Sequence, residues 1–319
     1  MRSEEVTFYS EGVKVRGTLK LPDAPGAGRI PGIVQGPGWL GLRTAKLYDR
    51  YHAALTAAGY ALLIIDYRGF GDSEGERGLL LPQRQVEDLC SALTYLETRP
   101  EIDPERLGAF GSGGSGGGNA VALAGTDPRV KATVCQVGIA DGEDWLRRMR
   151  REYEWVEFLA ALEEDRRQRV LTGASRLVNP REEIMIQTPE RRETAVKRDV
   201  DGKLPDKVPL ACAQAVLECK PIEVVDRIAP RAIMFICVER DAVTPADHSI
   251  RMYERAGPPK KLVVQRGTMH YRAYEDYGAV VTPMIVEWYD RHLRRDRRAA
   301  AAPGPAQEVV YLDRLVPAP

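Results

Sequence analysis

The sequence predicts an α/β protein with a mostly parallel central sheet, helices on both faces and an inserted, mainly helical lid. Continuous apolar runs alternate with amphipathic stretches along residues 30–137 and again along 232–293, a pattern typical of a parallel sheet that is covered on both sides. Residues 141–225 interrupt this alternation, because they are first dense in charged and aromatic residues and then irregular. A chain of 319 residues is long enough for such a core with an insertion.

The predicted elements follow in order, beginning with an antiparallel hairpin at the sheet edge. The hairpin strands are predicted at residues 6–9 and 13–21, and buried strands at residues 32–34, 60–65, 107–110, 130–137, 232–238 and 261–264. Helices are predicted at residues 47–58, 86–98, 248–256 and 279–293, with one or two more within 144–169. The core is therefore assigned to residues 1–140 and 226–297, the lid to 141–225 and an Ala- and Pro-rich tail to 298–319. We expect the tail to be mobile, with residues 309–315 docking on the body or on a second copy.

Composition excludes several classes of function. Lys+Arg and Asp+Glu each number 46, so the formal net charge is zero, and no basic patch with interleaved aromatics indicates nucleic-acid binding. No apolar run is long enough to span a membrane, and no apolar leader follows the charged N-terminus. The cysteines lack Cys-x-x-Cys spacing and the histidines are isolated, so no metal site is predicted. We expect a cytoplasmic protein that acts on a small molecule without a cofactor, with a homodimer as one option.

The chemistry is expected in a glycine cluster between an apolar strand and a helix. Residues 113–117 (GGSGG) match G-x-S-x-G, the sharp turn that exposes a nucleophilic serine between a strand and a helix. Glycines suit such a turn because its backbone is strained and the strand and helix approach closely. Counting two residues on from Gly111 points instead to Gly113, which has no side chain. Ser115 is favoured because it has glycines on both sides at the motif spacing, and Ser112 is the alternative nucleophile.

A serine nucleophile needs a histidine base and an acid that orients the histidine. With this kind of turn, the acid and then the histidine follow the serine in the chain, each in a loop after a strand. Among the four histidines, His270 is the one that follows a late predicted strand. Asp241 follows the strand predicted at residues 232–238. The predicted triad is therefore Ser115, Asp241 and His270.

At this point the residues resemble a known family. The chain is similar to the α/β-hydrolase superfamily, and more narrowly to bacterial members with a helical lid that are related to dienelactone hydrolases and to acyl-peptide or ester hydrolases. The resemblance covers about residues 6–140 and 226–295 and implies the α/β-hydrolase fold. It is carried by residues 66–73 (DYRGFGDS), 102–108 (IDPERLG), 127–132 (DPRVKA), 239–245 (ERDAVTP) and His270.

The chain departs from the family at the glycine cluster and at the loop that would form the oxyanion hole. The family often has His-Gly-x-Gly there, where this chain has residues 35–39 (QGPGW). If Gln35 takes the histidine position, Pro37 falls where an N–H is needed, and proline has none. If Pro37 takes the histidine position, the first oxyanion donor is the N–H of Trp39. This alignment is favoured, with the N–H of Gly116 as the second donor. The lid residues that could face the substrate are Trp145, Arg148, Tyr153 and Trp155.

The favoured function is that of a serine hydrolase that cleaves a small carboxylic ester or related acyl compound through an acyl-enzyme. In this hypothesis Ser115 attacks, His270 transfers the proton and Asp241 orients His270. One alternative is a carbon–carbon bond hydrolase or lyase that uses His270 as a base without a serine nucleophile. The other alternative is a catalytically silent hydrolase fold used for binding, although a silent fold has no physical need for both Asp241 and His270.

Overall fold

The structure is a computed structural model that describes residues 1–23, 28–294 and 306–313. The strands of this part of the chain are β1 (Arg2–Ser10), β2 (Val13–Leu21), β3 (Ile30–Gly36), β4 (Ala61–Asp66), β5 (Ile102–Ser112), β6 (Val130–Gln136), β7 (Leu177–Val178), β8 (Val208–Pro209), β9 (Ala232–Val238), β10 (Lys260–Gln265) and β11 (Gln307–Leu312). Nine of them form one sheet in the order β1-β2-β4-β3-β5-β6-β9-β10-β11, and β7 pairs separately with β8.

Helices connect most of the strands. The α-helices of the described residues are α1 (Asp49–Ala57), α2 (Pro82–Glu97), α3 (Gly114–Thr126), α4 (Gly142–Arg147), α5 (Glu152–Thr172), α6 (Pro189–Glu193), α7 (Arg198–Asp201), α8 (Ala211–Leu217), α9 (Ala246–Arg255), α10 (Ala273–Asp276) and α11 (Gly278–Leu293). Within the described ranges, no helix combines the length and the apolar character that crossing a bilayer requires.

The sheet has the predicted arrangement. Strand β1 pairs antiparallel with β2, from Arg2 opposite Leu21 to Ser10 opposite Val13, and β2 pairs antiparallel with β4. The pairs from β4 through β3, β5, β6, β9 and β10 are parallel. Every residue of β3, β4 and β9 is buried, because helices including α1, α2, α3 and α11 pack on the sheet. This burial explains why the parallel strands are continuous apolar runs in the sequence, and it confirms the predicted mostly parallel sheet with an antiparallel edge.

Residues 141–225, all of which the structure describes, add no strand to the large sheet. Between β6 and β9 the chain runs through α4 to α8 and the small β7–β8 pair. The long helix α5 packs against α8, and its residues Trp155, Phe158 and Leu162 are buried in the hydrophobic core. The chain after α5 is held by Asp165, whose Oδ1 accepts from Ser175 Oγ at 2.8 Å and from Arg176 N at 2.7 Å. The insertion is thus a layer of helices and turns fixed by specific polar contacts.

The tail contributes a strand to the sheet. Strand β11 pairs in parallel with β10, from Lys260 opposite Gln307 to Gln265 opposite Leu312. Residues 309–312 therefore dock on the body of their own chain, which was one of the two predicted outcomes. The predicted mobility of the tail concerns residues 298–305 and 314–319, which lie outside the described residues.

His52, the histidine of helix α1, is buried and contacts a residue of strand β3. His52, on α1, places Nε2 2.7 Å from Gln35 Oε1 and Nδ1 2.7 Å from Lys20 Nζ. An ammonium group only donates, so Nδ1 accepts and the proton of the neutral ring is on Nε2. Burial, together with the charge of Lys20, lowers the pKa of His52 to about 3. His52 therefore stays neutral in the folded protein at pH values where an exposed histidine is charged.

We expect His52 to make the fold sensitive to acid. The pKa of its imidazole is about 3 in the folded protein and about 6.5 for an unperturbed histidine, so between these values the unfolded chain binds the extra proton. The free energy of unfolding therefore falls as the pH falls from 6.5 towards 3, by up to about 1.4 kcal/mol per pH unit from this group. Urea unfolding between pH 7 and pH 4 should show a smaller loss of stability for His52→Gln than for wild type. An unchanged slope in His52→Gln would contradict the assignment.

Candidate active site

His270 and Asp241 form a buried, hydrogen-bonded pair at the carboxyl edge of the sheet. Asp241 follows β9 and His270 follows β10, and these strands are neighbours and parallel. Parallel strands end at the same edge, which is why the two side chains meet across 29 positions of sequence. His270 Nδ1 lies 2.7 Å from Asp241 Oδ2, and both side chains are almost completely buried.

The second oxygen of the carboxylate fixes the orientation of the pair. Asp241 Oδ1 accepts from the N–H groups of Val243 and Thr244, each at 2.7 Å. A carboxylate can only accept, so the proton of the neutral His270 ring is on Nδ1 and Nε2 has its lone pair available. The pair therefore has the arrangement of a general base with its orienting acid.

A small cavity lies against His270. Its volume is about 40 Å³, which is room for a few water molecules. In the described part of the chain, no group of three or more His, Cys, Asp or Glu side chains is placed to hold a metal ion. The cavity is lined by residues of both the core and the lid. The core residues include Gly38, Trp39, Ser112, Gly113, Gly114, His270, Tyr271 and Tyr274. The lid residues include Trp145, Arg181, Arg191 and Lys197.

The junction between β5 and α3 is occupied by Gly113. Its φ of 84° and ψ of 163° place it in a region of backbone conformation that is essentially restricted to glycine. Its N–H donates to Gln136 O at 3.1 Å, and a Cβ built on it would lie 3.2 Å from Gly38 Cα. The position at which the strand turns into the helix therefore carries no side chain and faces the cavity.

Ser115, the predicted nucleophile, lies two residues after Gly113 in the chain. It is the second residue of α3, it is buried, and it is not among the residues that line the cavity. No hydrogen bond joins Ser115 to His270 within the described chain. The structure thus brings Asp241 and His270 together and leaves Ser115 out, because helix α3 has already begun at Gly114 and turns the serine away from the junction.

Ser112, the alternative nucleophile, does line the cavity, but its hydroxyl is engaged elsewhere. Ser112 Oγ lies 3.1 Å from Gln136 Oε1 and 2.9 Å from Tyr274 OH. Gln136 in turn donates from Nε2 to Tyr51 OH at 3.0 Å. Ser112 is therefore part of a buried polar network beneath the cavity rather than a partner of His270.

The loop after β3 closes over the junction. Gly38 N–H donates to Tyr48 OH at 3.1 Å, and a Cβ on Gly38 would lie only 2.8 Å from Ser112 O. Trp39 lines the cavity, with its ring 5.8 Å from that of Trp145 in an edge-on arrangement. Gly116, the second predicted oxyanion donor, is not in the lining. Gly114, which directly follows Gly113 at the junction, does line the cavity.

The lid residues that were expected to face a substrate behave differently from one another. Trp145 lines the cavity, and its Nε1 donates to Val243 O at 2.7 Å. Arg148 instead pairs with Asp247 at the surface, at 2.8 Å. Tyr153 is 57% exposed and Trp155 is buried against Phe158. Contrary to the expectation, Arg148, Tyr153 and Trp155 do not line the cavity. Arg148 follows α4 and pairs at the surface, whereas α5 buries the face that carries Trp155 and exposes the face that carries Tyr153.

Sequence reasoning missed the charged part of the cavity wall. Arg181, Arg191 and Lys197 come from the stretch after α5, where no periodicity marks a functional face. Lys197 Nζ donates to Trp39 O at 2.6 Å. Burial, reinforced by the charges of Arg191 and Arg181, lowers the pKa of Lys197 to about 7. Tyr271 and Tyr274 were also missed, although they lie within four residues of His270 in the sequence.

Comparison with known proteins agrees with the fold. Over 289 residues the chain is 29% identical to a 31.7 kDa protein from the traX–finO intergenic region of Escherichia coli, covering 89% of this chain and 97% of that protein. Over 134 residues it is 37% identical to the thiohydrolase apmlB of Arthrinium phaeospermum, covering 41% and 42% of the two chains. The α/β-hydrolase GrgF from Penicillium sp. sh18 superposes with a TM-score of 0.75 at 21% identity, covering 92% of this chain and 99% of GrgF.

A family model provides the assignment. Residues 11–212 match the model of the X-Pro dipeptidyl-peptidase (S15) family, which is well over half of the chain. The match spans the second strand of the hairpin, the glycine cluster and most of the lid. The parallel sheet with its neighbouring acid and histidine loops is that of the α/β-hydrolase superfamily. This chain therefore belongs to the X-Pro dipeptidyl-peptidase (S15) family of hydrolases.

Proposed function

We propose that the protein hydrolyses a small carboxylic ester or thioester with a water molecule that His270 activates directly, without an acyl-enzyme. The observation that carries the proposal is the His270–Asp241 pair beside a cavity whose strand–helix junction is Gly113. The base and its orienting acid are present, and the residue at the junction has no side chain to be acylated. The similarity to a thiohydrolase over 134 residues supports an acyl substrate.

In the proposed reaction His270 Nε2 takes a proton from water as the water oxygen attacks the carbonyl carbon. Asp241 holds the ring and stabilises the imidazolium that forms. The carbonyl oxygen becomes an oxyanion, for which the N–H groups of Trp39 and Gly114 are the proposed donors. The imidazolium then gives its proton to the departing alcohol or thiol as the C–O or C–S bond breaks, which restores the neutral base.

The glycine at the junction suits this reaction. Apart from a close contact of 3.2 Å with Gly38 Cα, a Cβ at Gly113 would have no neighbour within 4 Å among the described residues, so the space beyond it towards the cavity is free of their atoms at that range. A water molecule in that space would stand between His270 and a carbonyl held by the loop at Trp39. The acyl-enzyme on Ser115 that the sequence favoured is less well supported, because Ser115 lies in α3 outside the cavity lining. A carbon–carbon bond hydrolase would use the same base, but the thiohydrolase similarity favours an ester or thioester.

Substitution of the two serines tests the proposal. We expect Ser115→Ala to hydrolyse p-nitrophenyl acetate and S-phenyl thioacetate with a kcat/KM within about threefold of wild type, because no bond to the substrate is lost. Ser112→Ala should behave similarly apart from a modest loss through its network with Gln136 and Tyr274. A loss of about a hundredfold or more in either variant, with the fold intact, would restore an acyl-enzyme mechanism. Absence of hydrolysis of both esters by the wild type would favour a silent binding fold.

A further inference from the structure

The lid supplies more positive than negative charge to the cavity that contains His270. Arg181, Arg191 and Lys197 all line it. Arg181 and Arg191 share Asp201, with Arg181 Nη2 2.7 Å from Oδ1 and Arg191 Nη2 2.7 and 2.8 Å from the two oxygens. Lys197 makes no ion pair with a carboxylate in the described ranges, and its hydrogen bond is to the backbone oxygen of Trp39. Because the described lining of the cavity includes these three basic residues and no carboxylate, this wall of the cavity is electropositive.

The charged wall is close to the proposed reacting centre on two sides. The guanidinium carbon of Arg191 lies 5.7 Å from the ring centre of Tyr271, and that ring lies 4.7 Å from the ring of His270. On the other side, Lys197 Nζ lies 2.6 Å from the carbonyl oxygen of Trp39, the residue proposed to donate to the oxyanion. The lid is also fixed to the loop of His270, because Glu190 Oε1 accepts from Tyr271 N at 2.8 Å.

Two polar groups in this wall are incompletely satisfied by the residues that the structure describes: the indole N–H of Trp39 has no acceptor, and the ammonium of Lys197 has a hydrogen bond to a backbone oxygen but no carboxylate partner. Trp39 is buried, and its Nε1 has no hydrogen-bond partner. A buried donor without an acceptor is costly, so such a group in a cavity wall indicates a ligand that accepts from it. The ammonium of Lys197 is crowded by Arg191 and Arg181, which contribute to lowering its pKa. An anion placed among these groups would satisfy the indole N–H and neutralise the excess charge.

We propose that the acyl part of the substrate carries a carboxylate, held by Lys197, Arg191 and the indole N–H of Trp39, a few bonds from the carbonyl that His270 helps to hydrolyse. The small cavity limits the acyl chain, so the substrate class is the half-ester or half-thioester of a short dicarboxylic acid. This inference rests on the proposed function for the position of the reacting carbonyl. The acid-binding group itself depends only on the lid residues and Trp39.

A matched pair of esters tests the proposal in turnover. The mono-p-nitrophenyl ester of glutaric acid and p-nitrophenyl pentanoate have similar length and differ in the terminal carboxylate. Wild type should favour the glutarate ester by about tenfold or more in kcat/KM, as expected for a charge-assisted contact. Lys197→Met should lose this preference mainly through a higher KM, Lys197→Arg should retain much of it, and Lys203→Met, an exposed lysine of the same lid, should match wild type.

Different results would overturn the proposed acid site and the proposed ester hydrolysis. Equal effects of Lys197→Met on both esters would mean that Lys197 only holds the lid to Trp39, and absence of preference in wild type would also overturn the acid site. Calorimetric titration with glutarate, with glutaramide as the neutral control, measures binding without turnover. Binding of glutarate that Lys197→Met abolishes, together with no hydrolysis of either ester, would support the acid site and overturn the proposed function.

The pH dependence of glutarate binding provides an independent test of the role of the Lys197 ammonium. Lys197 must be charged to bind a carboxylate, and its pKa of about 7 means that it loses the proton as the pH rises through that value. The other charged or titratable groups around it are Arg181, Arg191, Asp199, Asp201, Tyr271 and His270. Affinity for glutarate should therefore fall between pH 6.5 and 8.5 in wild type and stay nearly constant in Lys197→Arg. A constant affinity in wild type would contradict a role for the Lys197 ammonium.

Discussion

Asp241→Asn should lower kcat/KM for ester hydrolysis by about a thousandfold or more while leaving the protein folded. The asparagine oxygen can still accept from Val243 and Thr244 N–H, but its amide now donates towards His270 Nδ1. The ring then carries its proton on Nε2, where it can no longer accept one from water. His270→Ala should cause a loss of about a hundredfold to ten-thousandfold, the usual contribution of a general base.

The control for this experiment is Asp247→Asn, which removes a carboxylate that pairs with Arg148 at the surface. It should hydrolyse esters like the wild type. Circular dichroism and the melting temperature show whether each variant is folded. Activity of Asp241→Asn within about tenfold of wild type would mean that His270 does not act as the base in the way proposed.

Gly113→Ser should destabilise the protein and at the same time make it reactive towards fluorophosphonates. The φ of 84° and ψ of 163° at this position are essentially restricted to glycine, so a side chain there should lower the free energy of unfolding by about 1–3 kcal/mol. The new Cβ would also lie 3.2 Å from Gly38 Cα. The hydroxyl would stand at the cavity beside His270, which is the position from which a serine can be activated.

The matched control is Gly113→Ala, which introduces the same backbone strain without a hydroxyl. Urea unfolding should show a similar loss of stability in both variants, and mass spectrometry should find the phosphonate adduct on residue 113 of Gly113→Ser alone. Labelling of wild type to the same extent would show that another serine is already a reactive nucleophile and would contradict the role given to Gly113.

Much of the core could be predicted from sequence because buried parallel strands are apolar without interruption. Asp241 and His270 could be predicted for the same reason, since each lies in the loop that follows such a strand, and the structure joins them at 2.7 Å. The nucleophile could not be read from the G-x-S-x-G pattern. Several glycines in a row let the pattern fit at Ser115, whereas the strand itself ends at Ser112 and the helix begins at Gly114. The count from Gly111 was the informative signal, and it pointed to Gly113.

The lid shows where sequence reasoning ends. The path of the chain after α5 is set by individual contacts, such as those of Asp165 with Ser175 and Arg176, and no periodicity encodes them. Lys197 looks like a surface lysine in an irregular segment until the fold places it beside Trp39. Tyr153 and Trp155 lie two residues apart on one helix, yet one is exposed and the other buried. Which lid residues reach the cavity therefore depends on how the lid packs on the body.

The intact mass of the protein during turnover tests the central claim most directly. The wild type would be mixed with excess p-nitrophenyl acetate, quenched in acid within milliseconds to seconds and analysed by mass spectrometry. Direct attack by water predicts an unmodified protein at every time and no burst of p-nitrophenol. An added acetyl group that forms and disappears at the rate of turnover, located on Ser115 or Ser112, would contradict the account and establish an acyl-enzyme.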